Sequence, residues 1–351
     1  DDQRYTIRNL SRQISLISSM KKILIISDGI PGHYNQSNGV AFMISETFDC
    51  VIATHELSWH ICTLRSAFTF IAKLLLRFNN KNIARCILWM YTPINTQGYD
   101  LVIAAGGNTM PVSAAIKLAY SLPVIQLGSP RGLHSSMFNA LVTIEKYFDH
   151  PSNIVAAISP NLYSPAVCSI AAKEDNLSEH ILFLIGGEGI GYSYSTNEWE
   201  GMLASIQALS SKIKLPISIV TSRRTAPEVE DLFQSRLKNI LGDYSAWFHH
   251  GDKNFNLAGL LGSAKNIFVT EDSAMMISES ISSGKPVTTL YPSNIKSPLR
   301  YENHISKYAD LALIKRSPLY DFELRSQQDL NARITEHRQE LVKKLMRAIS
   351  W

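Results

Sequence analysis

A regular alternation restricts the fold of this chain more than any other feature: short apolar runs separated by stretches of helical periodicity recur through nearly all of its 351 residues. Runs of roughly four to eight apolar residues with turn signals on either side read as strands covered on both faces, the setting of parallel sheets flanked by helices. The first series comprises KILIIS (22–27), VIAT (51–54), LVIAAG (101–106), PVIQLG (123–128) and ALVTI (140–144). A second comprises HILFLIGG (180–187), ISIVTS (217–222), AWFHHG (246–251), NIFVT (266–270) and PVTTLYP (286–292). Between them NLYSPAVCSIAAKEDNLSEH carries polar and turn residues and reads as the boundary. The expectation is α/β: two Rossmann-like doubly wound domains, residues 20–165 and 178–318, facing across a cleft. A charged helical tail, 319–351, is expected to pack back on the first.

Composition narrows the class further. A hydrophobic fraction of 45% with 18% charged residues suits globular cores, and a net charge of +4 is too small to indicate nucleic acid. Cys50, Cys62, Cys86 and Cys168 form no CxxC pair and sit in apolar contexts, which predicts buried free thiols and a cytosolic setting. No apolar run reaches the roughly eighteen residues of a spanning helix. MKKILIISDG has the look of a natural start, so fold reasoning begins at Met20, and residues 1–19 are expected to be an extension or remnant, or an amphipathic arm.

In such sheets ligands bind beyond the C-terminal ends of the strands, which directs attention to the loops there. SDGIPGHYNQS (27–37) offers Gly29 and Gly32 to loosen the turn, Asn35 or Ser37 as helix caps, and Asp28 and His33 as titratable groups. Either one is a candidate general base on an acceptor hydroxyl, or else a turn cap and a polar loop residue. AAGGNTMP (104–111) presents Gly107, Asn108 and Thr109, and LGSPRG (127–132) adds Arg131. IGGEGIGYSYS (185–195) follows a strand and is able to cradle phosphate through backbone amides, but its glycines at 186, 187, 189 and 191 lack the dinucleotide spacing. TSRRTAPE (221–228) places Arg223 and Arg224 at a strand end, in the geometry of a phosphate fork or a surface basic pair. In VTEDSAMMISESISSGKPV (269–287), Asp272 or Ser273 caps a helix that stops at Gly284, and Glu279 is either a solvated helix residue or an acceptor for vicinal ribose hydroxyls.

These loops in this order resemble the C-terminal half of GT-B glycosyltransferases, including the peptidoglycan lipid-intermediate N-acetylglucosaminyl transferase. More closely, SDGIPGHYNQ, AAGGNTMP, TSRRTAPE, HGDKNFN (250–256) and TEDSAMMISESISSGKPV are similar to the bacterial glycosyltransferase-like family named after a plant mitochondrial fission factor, over roughly residues 20–310. The resemblance implies a GT-B fold and a nucleotide-sugar donor in the second domain. Glu279 would then take the ribose, Thr270, Glu271, Asp272, Ser273, Gly186, Gly187 and Gly189 the phosphates or sugar, and Arg223 with Arg224 the phosphate charge. His250 to Asn254 would lie by the base. Gly32, His33, Asn35 and Gln36 match the family's first-domain loop and, with Gly107, Asn108 and Arg131, would face the acceptor. Ile30 stands where that family usually has lysine. The implied reaction is attack of an acceptor hydroxyl on the anomeric carbon of a UDP-sugar or a CMP-sugar acid, with Asp28, His33 or Glu188 as base and neither metal nor cofactor. A nucleotide-sugar epimerase or hydrolase, and a non-catalytic interaction protein, are the alternatives.

From Leu57 to Tyr99 there is no acidic residue, while Arg65, Lys73, Arg77, Lys81 and Arg85 recur. On a helical wheel Leu64, Phe68, Ile71, Leu75 and Phe78 share one face opposite the cations, so region 61–85 reads either as a membrane-surface helix or as a core-facing helix with a basic outer face. The membrane reading fits a peripheral enzyme on the cytoplasmic face of the inner membrane, acting on a glycolipid, lipopolysaccharide or surface-glycan acceptor.

Overall fold

The computed structural model describes residues 20–58, 65–242, 244–251, 255–326 and 330–351. The chain divides into two compact units. The first runs to Leu162 and takes up Arg338–Trp351; the second is Tyr163–His337.

The first unit is built on β1 (Lys21–Ser27), α1 (Pro31–Ser45), β2 (Cys50–Glu56), α2 (Arg65–Leu76), α3 (Lys81–Trp89), β3 (Leu101–Ala105), α4 (Met110–Tyr120), β4 (Val124–Leu127), β5 (Ala140–Thr143) and β6 (Asn153–Val155). Its six strands are all parallel in the order β2-β1-β3-β4-β5-β6. Side chains alternate across the sheet, which explains the unbroken apolar runs. Leu24, Ile26, Val102 and Ala104 pack with Ala72 and Leu76 of α2, Ala84 and Ile87 of α3, and the buried face of α4. Ile23, Ile25, Leu101 and Ile103 face the other way, onto Val40, Ala41 and Ile44 of α1.

That second face is completed by the C-terminal helix α11 (Asn331–Ile349), whose Leu341, Leu345, Met346 and Ile349 join the same core. Arg338 ties it to Glu46 at 3.1 Å. The tail expected to be helical from 319 enters this helix only at Asn331.

The second unit comprises α5 (Pro165–Glu174), β7 (His180–Ile185), β8 (Tyr192–Ser193), α6 (Thr196–Ser210), β9 (Ile217–Thr221), α7 (Pro227–Ile240), β10 (Tyr244–Trp247), α8 (Leu257–Ser263), β11 (Ala264–Thr270), α9 (Ala274–Ser282), β12 (Val287–Tyr291), β13 (Asn294–Ile295), α10 (Leu299–Asp310) and β14 (Ile314–Pro318). Its main sheet is again six parallel strands, β10-β9-β7-β11-β12-β14. Stacked Phe183 and Phe268, with Phe322 against them, centre its core.

Two sequence expectations are corrected here. The division between the units, Leu162/Tyr163, falls inside the segment read as the boundary, but most of that segment is a packed helix of the second unit: Ser164 caps α5, Cys168 is buried, and a side chain at Gly262 of α8 would collide with the Cys168 carbonyl. A small residue at that contact lets the two backbones approach. The thiols are not uniformly buried either, since Cys86 is exposed and Cys50 half-buried, while Cys62 lies outside the described residues.

Candidate active site

In the first sheet β1 lies between β2 and β3, and in the second β7 lies between β9 and β11, so the strand order reverses at β1/β3 and at β7/β11. Ligands of open α/β sheets bind at such switch points, beyond the carboxyl ends of the strands. The loops holding most of the candidate residues leave the sheets at these two places.

In the first unit, β1 ends at Ser27 and α1 starts at Pro31, earlier than a cap at Asn35 or Ser37 allows, because proline at the first helical position is pre-set for a helix. Gly32, His33, Asn35 and Gln36 therefore sit in the first two turns of α1, all partly exposed. The His33 ring Nδ1 lies 3.0 Å from Asp28 Oδ2, and Asn108, following β3, donates to the same oxygen at 2.8 Å. The Asp28 side chain is 1% exposed and that of His33 32%, so the carboxylate is held under the imidazole and the imidazole is the group that solvent reaches. Burial pushes the Asp28 carboxyl up, but hydrogen bonds from His33, Asn108 and the Ile30 N–H outweigh it and bring it below its ordinary value. The His33 ring packs over Gly106, where φ is +86° and a Cβ would stand 2.2 Å from the ring, so only glycine fits. Gly107 is flanked by the side chain of Arg131, itself exposed. This arrangement, a buried carboxylate orienting an accessible imidazole, is suited to taking a proton from a hydroxyl.

In the second unit the loops after β7, β9 and β11 lock into one another. Gly186 N–H donates to Thr270 Oγ1 at 2.7 Å, Gly187 N–H hydrogen-bonds Asp272, and Gly189 N–H donates to the Tyr192 carbonyl at 3.3 Å. A Cβ at Gly187 would lie 2.0 Å from the Arg224 carbonyl oxygen. These glycines thus serve close packing, and the three amides expected to cradle phosphate are engaged inside the unit. Both arginines are exposed, but the Arg224 guanidinium donates to the Asp272 carbonyl and lies 3.4 Å from its carboxylate, which leaves Arg223 as the member of the pair with no partner among the described residues. Asp272 is buried, and burial drives its carboxyl up against the lowering influence of Thr270, Gly187 and Arg224.

Thr270 and Glu271 are also buried. Glu271 accepts a two-pronged contact from Arg316, at 2.8 and 2.7 Å, and a hydroxyl from Thr289 at 2.7 Å; its burial removes it from direct ligand contact. Ser273 caps α9 by accepting from Met276 N–H. Glu279, two turns into α9, is 8% exposed, and together with burial it pushes the Tyr163 phenol up. Glu188 is exposed near Ser193, 3.4 Å away.

Sequence reasoning missed Glu230. Its buried carboxylate accepts His249 N–H at 2.8 Å and His250 N–H at 3.1 Å, meets the His250 ring at 2.9 Å, and takes the Thr221 hydroxyl. It folds the turn after β10 and presents a half-exposed His250. The available signal was an acid four residues beyond the TSRRTA run, in the first turn of α7. Asn254 lies outside the described residues. No cluster of three or more His, Cys, Asp or Glu able to hold a metal occurs among the described residues.

A family model described as mitochondrial fission ELM1 matches residues 31–316, most of the chain. The chain belongs to that family. An uncharacterized protein of Rickettsia prowazekii (strain Madrid E) is 23% identical over 298 residues, covering 72% of this chain and 81% of the relative. Among solved structures, a UDP-GlcNAc 2-epimerase of Methanocaldococcus jannaschii is 10% identical over 95% of this chain and 92% of that one, with a TM-score of 0.51. MurG from Acinetobacter baumannii is 13% identical over 94% of this chain and 95% of that chain, with a TM-score of 0.47. The fold of this ELM1-family chain is GT-B, with two parallel six-stranded α/β sheets.

The basic amphipathic region departs from its helical wheel. In α2 the packed face is Phe68, Ala72, Leu75 and Leu76, while Phe70, Ile71 and Leu74 face outward, as does Phe78 in the turn just after it. Phe70 is 70% exposed, Phe78 69%, and Trp89 at the end of α3 84%. The stretch carries two apolar stripes, and only one is used by the core. Leu64 and the Arg65 side chain lie outside the description.

Proposed function

We propose that this protein is a glycosyltransferase that moves a sugar from a nucleotide-sugar donor to a hydroxyl of a lipid-linked, lipopolysaccharide or surface-glycan acceptor. The observation that carries the reading is the Asp28–His33–Asn108 constellation at the β1/β3 switch point. His33 takes the acceptor proton, and Asp28 fixes the ring and stabilises the imidazolium that forms. Gly32, Asn35, Gln36, Gly107 and Arg131 are the acceptor's surroundings. In the second unit, Arg223 and the N-terminus of α9 at Ser273 meet the donor phosphates, Glu279 the ribose hydroxyls, and His250 the base. Charge on the departing phosphate falls to these fixed groups without metal or cofactor. The nucleoside is uridine, or cytidine in a CMP-sugar acid.

The outward Phe70, Leu74, Phe78 and Trp89, interspersed with Lys73, Arg77, Lys81 and Arg85, support a peripheral position on the cytoplasmic face of the inner membrane. No helix among the described residues is long and apolar enough to cross a membrane. The likeness in fold to an epimerase favours one second reading, a nucleotide-sugar epimerase. Incubation with labelled nucleotide-sugars and membrane lipid extract separates the two. Label in the lipid fraction that is lost in His33→Ala supports transfer; an epimerised nucleotide-sugar without lipid label refutes it.

A further inference from the structure

Outside the switch points, a cavity of about 1000 Å³ lies wholly within the first unit, at the upper end of the size of small-molecule pockets. Its interior is apolar: Leu76, Ala114, Leu118, Leu133, Met137 and Phe148. Its polar lining is one-signed, with Arg77, Lys81 and Lys117 and no carboxylate. None of these three cations has an acidic partner among the described residues. Lys117 spends one of its three N–H groups on the Ser136 carbonyl, 3.0 Å away, and burial lowers its affinity for a proton. Holding an ammonium partly out of water in a lining that has no carboxylate is unfavourable until an anion arrives.

The wall formed by Pro130, Gly132, Leu133 and His134 belongs to the loop whose Arg131 packs on Gly107, beside Asn108. Lys73 lies close enough to Arg131 for their repulsion to add to burial in lowering the Lys73 ammonium. One loop therefore borders both the cavity and the Asp28–His33 site.

We infer that this cavity binds a single lipid molecule with a phosphate head, its chain among Leu76, Leu118, Met137 and Phe148 and its phosphate among Arg77, Lys81 and Lys117. Apolar volume accounts for the chain and unpaired cations for the phosphate; a free phosphate would use only the second, a neutral lipid only the first. The inference rests on the lipid-linked acceptor reading and adds the place where that acceptor's lipid is held.

The test is calorimetric titration of the full chain with decyl phosphate below its micelle concentration, beside decanol and inorganic phosphate. Decyl phosphate binds one to one, about tenfold or more tighter than either control, and the advantage shrinks with salt. Arg77→Gln with Lys117→Gln reduces it to the level of decanol. Leu118→Trp, which fills the cavity, removes binding of both alkyl ligands; Met137→Trp, at another lining residue, does the same if Leu118→Trp fails to fold. Equal affinity for decyl phosphate and decanol, or for decyl phosphate and inorganic phosphate, overturns the inference, as does undiminished binding in a folded Trp variant. Nucleotide titration of the same samples separates this from the function reading. Nucleotide binding without decyl phosphate binding overturns the lipid site alone, whereas decyl phosphate binding without nucleotide binding overturns the donor reading and leaves the site standing.

Discussion

Replacing Arg316 with methionine probes the second unit where its architecture is most exposed to failure. Arg316 makes two short contacts to the Glu271 carboxylate, which is itself fully buried and directly follows β11. Hydrogen bonding to Glu271 raises the guanidinium's proton affinity above its ordinary value. Removing the arginine leaves Glu271 with the Thr289 hydroxyl at 2.7 Å and the Tyr192 hydroxyl at 3.2 Å, too little to hold a buried charge. An uncompensated buried charge costs about 3–5 kcal/mol. For a unit of this size that lowers the unfolding midpoint by roughly 10 °C. The double variant Arg316→Met/Glu271→Gln removes charge and partner together and should recover most of the loss, a coupling that thermal unfolding of all four proteins reads directly. An unchanged midpoint in Arg316→Met, or a double variant no more stable than the single, refutes the assignment of Glu271 to structure and returns it to the donor site.

Further outcomes follow from other sites. Asp28→Asn keeps the side-chain shape but removes the charge that stabilises the imidazolium and turns one acceptor oxygen into an NH2, which faces either the Ile30 N–H or the Asn108 amide; turnover should fall about 10²- to 10⁴-fold while stability drops by only about 1 kcal/mol, and adding His33→Ala should cost little more. Gly187→Ala forces a methyl against the Arg224 carbonyl and should destabilise by about 1–3 kcal/mol, read in the unfolding midpoint. His304 in α10 packs between Tyr301 and Tyr308 with Nε2 sealed and unpaired, and burial, then Lys307 and Arg300, lower it from 6.5 to about 4. Unfolding frees the ring to take a proton, so this contribution is whole above pH 6.5 and lost as pH falls toward 4. The loss is about 3 kcal/mol across that window and should be absent in His304→Gln, as pH-dependent denaturation would show.

Much of the architecture was legible because the central strands are apolar on both faces. The missed strands of the two main sheets are those where this signal fails: Asn153–Val155 has three residues, and Ile314–Pro318 is a polar edge strand ending in proline. AWFHHG was read too far because the turn after Trp247 is made by Glu230, a residue distant in sequence. The site was legible as loops but not as bonds. Asp28 and His33 were visible as alternatives, and only the fold shows that one holds the other. The glycines at 186 and 187 signalled close approach correctly, yet the approaching groups are Asp272 and Arg224 of the same unit.

Nucleotide binding by the full chain is the most direct test of the donor claim, measured by thermal shift and then by calorimetry with uridine, cytidine and guanosine nucleotides. One base class should stabilise the protein, by about 2.7 kcal/mol at a hundredfold excess over Kd. Arg223→Gln and Glu279→Gln should each weaken binding by about 1–3 kcal/mol. No stabilisation by any of these nucleotides would contradict the account.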